Sequence, residues 1–209
     1  MLNNFIVDAM KTHGDSIALI HREKVSYNKL GEFILQVKDM FNYKDHYYLP
    51  TTDEYFVEKF WSMLFNGAIP VIVKEGELNT CTELVYKEDE AFALKTSGTT
   101  GQARFIQREH NKMKLRTQAS PYYMPFDNEV LLNLASLYHG LGISQGVILS
   151  AYTKSTMVIL DKFTPTKVFN AILDNKVSII NMGSQRNIPL ILKHKTFDRS
   201  IFSLSLIHI

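Results

Sequence analysis

Short apolar runs alternate with helical patterns along this chain of 209 residues, and this alternation limits the possible folds more than any other feature. Apolar runs of four to eight residues are typical of buried strands, whereas apolar residues at i, i+3 and i+4 indicate helices that pack on a sheet. Strands that alternate with helices favour parallel pairing. We therefore predict an α/β fold, with a layered, largely parallel sheet and flanking helices.

The individual elements follow from the same patterns. Strands are expected at residues 16–20, 68–73, 91–96, 130–135, 156–160 and 177–181. Proline has no backbone N–H, so Pro70 indicates a sheet edge or a strand start. Helices are expected at 26–41 with Ser26 as the cap, from Thr52 or Asp53 to a stop at Asn66-Gly67, at 140–151, and from Thr164-Pro165 to a point before Asn175.

Composition excludes several classes of function. Lys and Arg number 23, and Asp and Glu number 21, so the net charge is +2 and provides no basis for nucleic-acid or membrane-surface binding. No run approaches the ~18 apolar residues of a membrane helix, and the N-terminus lacks a signal-peptide pattern. The single cysteine, Cys81, excludes intramolecular disulfides and CxxC metal sites. It favours a reducing cytoplasm.

The stretch LKTSGTTGQARF, residues 94–105, follows the strand predicted at 91–96. Its centre, 97–101, offers three hydroxyls and two glycines, which allow amide groups to converge on one anion. Arg104 and Arg108 could add charge-assisted bonds to phosphate. The spacing is not that of a Walker P-loop. Composition alone favours a solvated turn whose threonines bond their own backbone, but the order S-G-T-T-G after a strand is more specific.

That order resembles the phosphate-binding signature of the adenylate-forming superfamily, which includes acyl-CoA synthetases, adenylation domains of peptide synthetases and luciferases. The signature reads S/T-S-G-T-T-G-x-P-K-G, and residues 96–101 match its first half fully. The second half departs at Ala103, Arg104 and Phe105, where the family has Pro, Lys and Gly. The arginine keeps a phosphate-seeking cation with a different geometry.

Further segments resemble the family in the same order: 15–30, 65–73, 108–113, 132–143 and 163–185. The resemblance covers most of residues 15–192 and implies that 1–209 form part of an AMP-binding N-terminal domain. The family's adenine-contacting loop, ribose-binding Asp and mobile C-terminal domain with its catalytic Lys have no counterparts here. We therefore expect an incomplete large N-terminal domain that is inactive alone.

The resemblance also implies a reaction. A carboxylate attacks the α-phosphorus of ATP, giving acyl-adenylate and pyrophosphate, and a thiol such as CoA then takes the acyl group. ATP, Mg²⁺ and CoA are the implied cofactors and co-substrate, with a fatty or other organic acid as the substrate. The implied phosphate-binding residues are Thr96, Ser97, Gly98, Thr99, Thr100, Gly101 and Arg104, and His139 is placed beside the acyl site. No residue is assigned as catalytic or as a metal ligand.

Two alternatives remain at this stage: an amino-acid-activating adenylation domain, and a non-catalytic remnant. Three other features are interpreted as structural. His110 is expected to begin a helix, the acidic stretch 87–90 to form a solvated turn, and the aromatic residues Tyr122, Tyr123 and Phe126 to belong to a loop packed on the core.

Overall fold

A computed structural model describes residues 1–76, 84–95, 104–120, 128–184 and 186–195, and the backbone of 206–208. The helices are α1 (Asn3–His13), α2 (Tyr27–Val37), α3 (Phe56–Phe65), α4 (His110–Ala119), α5 (Leu149–Tyr152), α6 (Pro165–Asn175) and α7 (Asn187–Leu192). The strands are β1 (Ile17–Ile20), β2 (Lys24–Ser26), β3 (His46–Pro50), β4 (Ile69–Val73), β5 (Glu90–Lys95), β6 (Phe105–Glu109), β7 (Val130–Asn133), β8 (Thr156–Ile159), β9 (Ile179–Asn181) and β10 (Leu206–His208). A π-helical segment, Gly142–Ile148, leads directly into α5.

The strands form two sheets. The first has the order β10-β9-β7-β8-β1-β2, and its neighbours are parallel except for the β1–β2 pair. The second has the order β3-β4-β5-β6, in which only β5 and β6 are antiparallel. The predicted α/β class with largely parallel pairing and flanking helices is therefore confirmed, with the strands divided between two sheets.

One apolar core joins the two sheets. It includes Leu19 and Met157 from the first sheet, Ile72 and Phe92 from the second, and the α3 residue Phe60, whose ring centre lies 5.8 Å from that of Phe92. A second cluster covers the opposite face of the first sheet, where α6 packs on β7, β8 and β9. Burial of large side chains from both sheets in one cluster stabilises their relative position, because the hydrophobic effect scales with the apolar area removed from water.

Two predicted helix starts are confirmed by their caps. The hydroxyl of Ser26 accepts a hydrogen bond from the Lys29 amide at 3.2 Å, and that of Thr164 accepts one from the Lys167 amide at 3.2 Å. Each bond satisfies an N–H group that lacks an intrahelical partner. Helix α2 is shorter than predicted because its backbone leaves α geometry at Val37 (φ −111°, ψ −8°) and continues as a short 3₁₀ turn.

The predicted cap of α3 is wrong, whereas its predicted end is confirmed. The helix begins at Phe56, without a side-chain cap. The Asp53 carboxylate instead accepts from the Tyr55 amide at 2.9 Å and forms a turn before the helix. The helix ends at Phe65, and Gly67 adopts a positive φ of 71°.

Pro70 is the second residue of β4, so the predicted strand start is confirmed. The predicted edge position is wrong, because β4 lies between β3 and β5. Pairing with β5 begins only at Val71, so the missing N–H of Pro70 removes no bond from that ladder. In the part of the chain that the structure describes, no helix has the length and apolar character needed to cross a bilayer.

Candidate functional site

The predicted phosphate-binding loop leaves the second sheet at the carboxyl end of β5. Residues 96–103, which include Thr96, Ser97, Gly98, Thr99, Thr100 and Gly101, lie outside the described residues. The structure does describe both ends of the loop. Lys95 is the last residue of β5 and is paired with Phe105 of β6, and Arg104 directly precedes that strand. The antiparallel pair therefore holds the two ends of the loop side by side.

Cationic side chains come from the strands around this loop. Lys74 follows β4, Lys95 ends β5, Arg104 precedes β6, and Arg108 lies within β6 opposite Phe92. We call these four residues the basic edge. Lys95 is 9% exposed and Arg108 is half-buried, whereas Lys74 and Arg104 are exposed. The carboxyl ends of β4 and β5 lie at one edge of the sheet, so Lys74, Lys95 and Arg104 stand at that edge, where cations attract anions. Arg108 lies three residue pairs farther along β6.

The segment that follows β7, residues 134–140, crosses from the first sheet to the basic edge. Buried Tyr138 lies under Lys74, with the ammonium nitrogen 4.6 Å from the ring centre. A methyl group added at Gly140 would lie 3.5 Å from Leu94 and 4.0 Å from the Arg108 guanidinium. The exposed residue between them, His139, donates its amide to the Ser136 carbonyl at 3.0 Å. The structure thus places the segment that bears His139 against β5 and β6, close to the ends of the loop.

Two buried asparagines hold the start of this segment. Asn181 donates its side-chain amide to Asn133 Oδ1 at 2.8 Å, and Asn133 donates in turn to the Gly142 carbonyl at 3.4 Å. The Asn181 carbonyl also accepts from the amides of Leu134 and Ala135 at 2.8 and 3.1 Å. Buried polar groups are costly unless paired. This network therefore fixes the path of the chain between β7 and the π-helical segment.

Gly142 is required by close packing at the same place. A methyl group added there would lie 2.2 Å from the Ser136 carbonyl oxygen and 2.9 Å from that of Ala135. Both neighbours are backbone atoms, which cannot move without displacing the segment. The π-helical turn that begins at Gly142 also departs from regular α geometry, and such turns are frequent at functional sites.

A separate cleft of about 600 Å³ opens where β1, β3, β7 and β8 end. Its ionisable lining residues are His21, Arg22, Asp53, Glu54, Glu58 and Asp161. We call it the acidic cleft. Burial lowers the pKa of His21. The positive charge of Arg22 also lowers it, whereas the negative charge of Asp161 raises it. Burial also raises the pKa of Glu58.

Other residues singled out in the sequence have structural contacts. His110 is buried at the start of α4, where its Nδ1 accepts from the Leu2 amide at 3.2 Å. Within the acidic stretch, Glu88 and Asp89 form the expected turn, but Glu90 begins β5 with a fully buried side chain. Its carboxylate lies 3.2 Å from His46 Nε2 and accepts from Gln107. Cys81 and the aromatic loop around Tyr122 lie outside the described residues.

Comparison with known proteins identifies the family. A family profile described as AMP-binding enzyme matches residues 72–198, more than half of the chain. The chain belongs to the AMP-binding enzyme family. The match includes the whole basic edge, the loop and the segment that bears His139, so the resemblance read from the sequence is confirmed.

One relative is the protein named 2-succinylbenzoate–CoA ligase from Oceanobacillus iheyensis, which is 24% identical to this chain over 169 residues. The alignment covers 80% of this chain but only 34% of the relative, so the chain spans about a third of that protein's length. Among solved structures, O-succinylbenzoate coenzyme A synthetase from Bacillus subtilis in complex with AMP has a TM-score of 0.79 at 16% identity, over 94% of this chain and 65% of that one. ATP-bound MatB from Rhodopseudomonas palustris has a TM-score of 0.81 at 13% identity, over 99% and 54%. These likenesses show that the AMP-binding fold is shared.

Arg104, Arg108 and His139 were predicted as site residues from the sequence, whereas Lys74, Lys95 and Tyr138 were not. A usable signal was present for the two lysines, since each stands at the carboxyl end of an apolar strand. Ligands of open α/β sheets bind at such ends. Tyr138 carries no comparable signal, because its contact with Lys74 depends on how the two sheets are placed.

Proposed function

We propose that this chain is the phosphate-binding part of an AMP-forming acid–thiol ligase of the acyl-CoA synthetase type. The observation that carries the proposal is the basic edge: Lys74, Lys95 and Arg104 stand at the ends of three adjacent strands where the S-G-T-T-G loop begins and ends, and Arg108 lies farther along the third strand. An adenylate-forming reaction develops negative charge on phosphate oxygens. Fixed cations and preorganised donors stabilise that charge.

In the proposed arrangement, Ser97, Thr99, Thr100 and the amides of Gly98 and Gly101 hold the departing β- and γ-phosphates. Thr96 begins the loop, and Arg104 takes the role of the family's lysine and can bind phosphate oxygens in a bidentate manner. The fit is electrostatic: cations on both sides of the loop match a polyanionic ligand.

Mg²⁺ would neutralise part of the triphosphate charge when bound. Within the described ranges, no three His, Cys, Asp or Glu side chains are grouped as a metal site would require. We propose that the metal is held chiefly by phosphates and water, as Mg²⁺ commonly is beside nucleotides.

We further propose that the acid is an organic acid, that CoA is the thiol, and that His139 borders the acyl group. The relative named 2-succinylbenzoate–CoA ligase makes 2-succinylbenzoate the first acid to test, ahead of fatty acids. A cytoplasmic location is proposed as well, supported by the single cysteine of the sequence.

Calorimetric titration of the 209-residue chain with MgATP, pyrophosphate and adenosine tests the phosphate-binding role. We expect MgATP and pyrophosphate to bind and adenosine to bind much more weakly, because the proposed contacts are to phosphate. Adenosine binding as tight as that of ATP would contradict the proposal, since recognition would then rest on the base and ribose.

ATP–pyrophosphate exchange with an acid panel tests the reaction. The panel contains 2-succinylbenzoate, a medium-chain fatty acid and the amino acids. We expect these 209 residues alone to bind ATP without robust exchange, because residues that the family resemblance assigns to adenine, ribose and acyl transfer have no counterparts in them. Exchange restricted to amino acids would favour the amino-acid-activating alternative, and absence of ATP binding would favour the non-catalytic remnant.

A further inference from the structure

The acidic cleft is separate from the basic edge. It lies at the ends of β1, β3, β7 and β8, whereas the basic edge belongs to β4, β5 and β6. The two share one element, the segment 134–140, whose Ser136 and Leu137 line the cleft while Tyr138 lies under Lys74. A volume of about 600 Å³ is within the range of small-molecule sites.

The cleft has a surplus of carboxyl groups. Four of its lining residues carry carboxyl groups, against one guanidinium, that of Arg22. Three of the four carboxylates have cationic partners: Glu54 pairs with Arg22, Asp53 with Lys59 at 2.6 Å, and Asp161 with Lys167 at 2.9 Å. Neither of the two lysines lines the cleft. Because Arg22, the one guanidinium in the lining, is already paired with Glu54, the cleft is poorly suited to phosphates and other anions.

Glu58 is the fourth carboxyl group. It lies in the first turn of α3 and lines the cleft, although the residue is only 7% exposed. Its carboxyl group accepts a hydrogen bond from its own backbone N–H, and no ion pair joins it to a cationic side chain among the described residues. A buried carboxylate without a cationic partner is unfavourable, and a charged donor beside it reduces that cost. The cleft therefore contains an acceptor that a ligand could satisfy.

Apolar side chains form the rest of the wall. The lining includes Phe56, Val57, Leu134, Leu137, Ile159 and Phe163. Such a surface suits an alkyl chain, whereas the carboxyl groups suit a cation at its end. A divalent metal ion is a poorer match, because the described part of the chain holds no group of three metal-ligating side chains.

We propose that the acidic cleft binds a small organic cation whose primary ammonium group donates to the Glu58 carboxylate and whose alkyl part packs on the apolar wall. The ligand differs in charge from the nucleotide proposed for the basic edge. This inference therefore does not rest on the ligase proposal.

The test uses n-butylammonium as the probe and 1-butanol as its uncharged match. Each is titrated into the 209-residue chain with labelled methyl groups, and the shifts of Val57, Leu134, Leu137 and Ile159 are followed by NMR. We expect saturable shifts with n-butylammonium and about tenfold weaker binding of 1-butanol, since a charge-assisted hydrogen bond accounts for roughly that factor.

The variant Glu58→Gln should weaken n-butylammonium binding by a similar factor, and the exposed control Glu32→Gln on α2 should not. Equal affinity for the two probes, or the absence of saturable shifts at these methyl groups, would overturn the proposal. The comparison of n-butylammonium with 1-butanol uses the unaltered chain, so it tests the proposal even if the Glu58→Gln variant does not fold. Displacement of n-butylammonium by ATP would also overturn it, because the two sites would then be one.

Discussion

The ammonium nitrogen of Lys74 lies 4.6 Å from the centre of the Tyr138 ring. Lys74 follows a strand of the second sheet, and Tyr138 lies in the segment after a strand of the first sheet. The contact therefore joins the two sheets beside the ends of the predicted phosphate-binding loop. It also gives Lys74 two roles, as a cation beside the loop and as a partner of a buried aromatic ring.

Lys74→Met should weaken ATP binding several-fold, because it removes one positive charge from the basic edge. It should also lower the free energy of unfolding by about 0.5–1 kcal/mol, the usual contribution of an exposed cation–π contact. Calorimetry measures the first effect and urea unfolding the second. The exposed control Lys24→Met on β2 should change neither. Unchanged ATP affinity would remove Lys74 from the site.

Gly142→Ala should destabilise the protein by about 1–3 kcal/mol, the usual range for a group forced into a packed region. The added methyl group would meet the Ser136 carbonyl oxygen at 2.2 Å. Gly140→Ala is the matched control two residues away, where the nearest atom lies at an ordinary 3.5 Å. Thermal unfolding of the two variants should therefore differ clearly. Equal stabilities would mean that the segment adjusts freely.

Asn181→Ala should cost about 1–3 kcal/mol of stability, because the buried Asn133 side chain would lose its amide donor. The control is Asn175→Ala, which removes a half-buried side chain that bonds only within α6. We also expect weaker ATP binding for Asn181→Ala, since the segment that bears His139 would be less firmly held. If the two variants unfold at the same urea concentration, the network contributes no stability.

Stability should fall as the pH is lowered, in part through His110. Burial lowers the pKa of His110. The amino group of the N-terminus lowers this pKa further, whereas Asp89 raises it. The unfolded chain binds a proton near pH 6.5 and the folded chain only at lower pH. The stabilising contribution is therefore complete above about pH 6.5 and is lost as the pH falls through the folded pKa.

Urea unfolding from pH 8 to pH 5 measures this dependence. His110→Gln should make the curve shallower, although not flat, because burial lowers the pKa of His21 as well. A steeper curve for His110→Gln would show that the sign of this contribution is reversed.

Local patterns predicted much of the fold. The capped helix starts at Ser26 and Thr164, the helix stop at Asn66-Gly67 and six of the strands depend on neighbours in sequence. No prediction was made for α1, β3 or β6. The division into two sheets was also missed, because strand order depends on contacts between residues far apart in the chain.

The candidate site was predicted in the same uneven way. The order S-G-T-T-G identified the family and predicted a phosphate-binding loop, and Arg104 and Arg108 entered that prediction because they follow the loop closely. Lys74 lies more than twenty residues before the loop and joins the site only through the pairing of β4 with β5. The acidic cleft was not foreseen, since its lining comes from four strands and the start of α3.

The affinity of the 209-residue chain for MgATP, measured by calorimetry on a matched pair of double variants, tests the central claim most directly. Thr99→Ala with Thr100→Ala alters the loop at the basic edge, and Thr51→Ala with Thr52→Ala alters two consecutive threonines that line the acidic cleft. We predict that the double variant Thr99→Ala with Thr100→Ala binds MgATP more than about tenfold more weakly than the unaltered chain, because hydrogen bonds to charged groups contribute about 1.5–3 kcal/mol each. The control double variant, Thr51→Ala with Thr52→Ala, should bind MgATP as tightly as the unaltered chain does. Unchanged affinity in the Thr99→Ala and Thr100→Ala double variant, or equal losses of affinity in the two double variants, would contradict phosphate binding by the S-G-T-T-G loop.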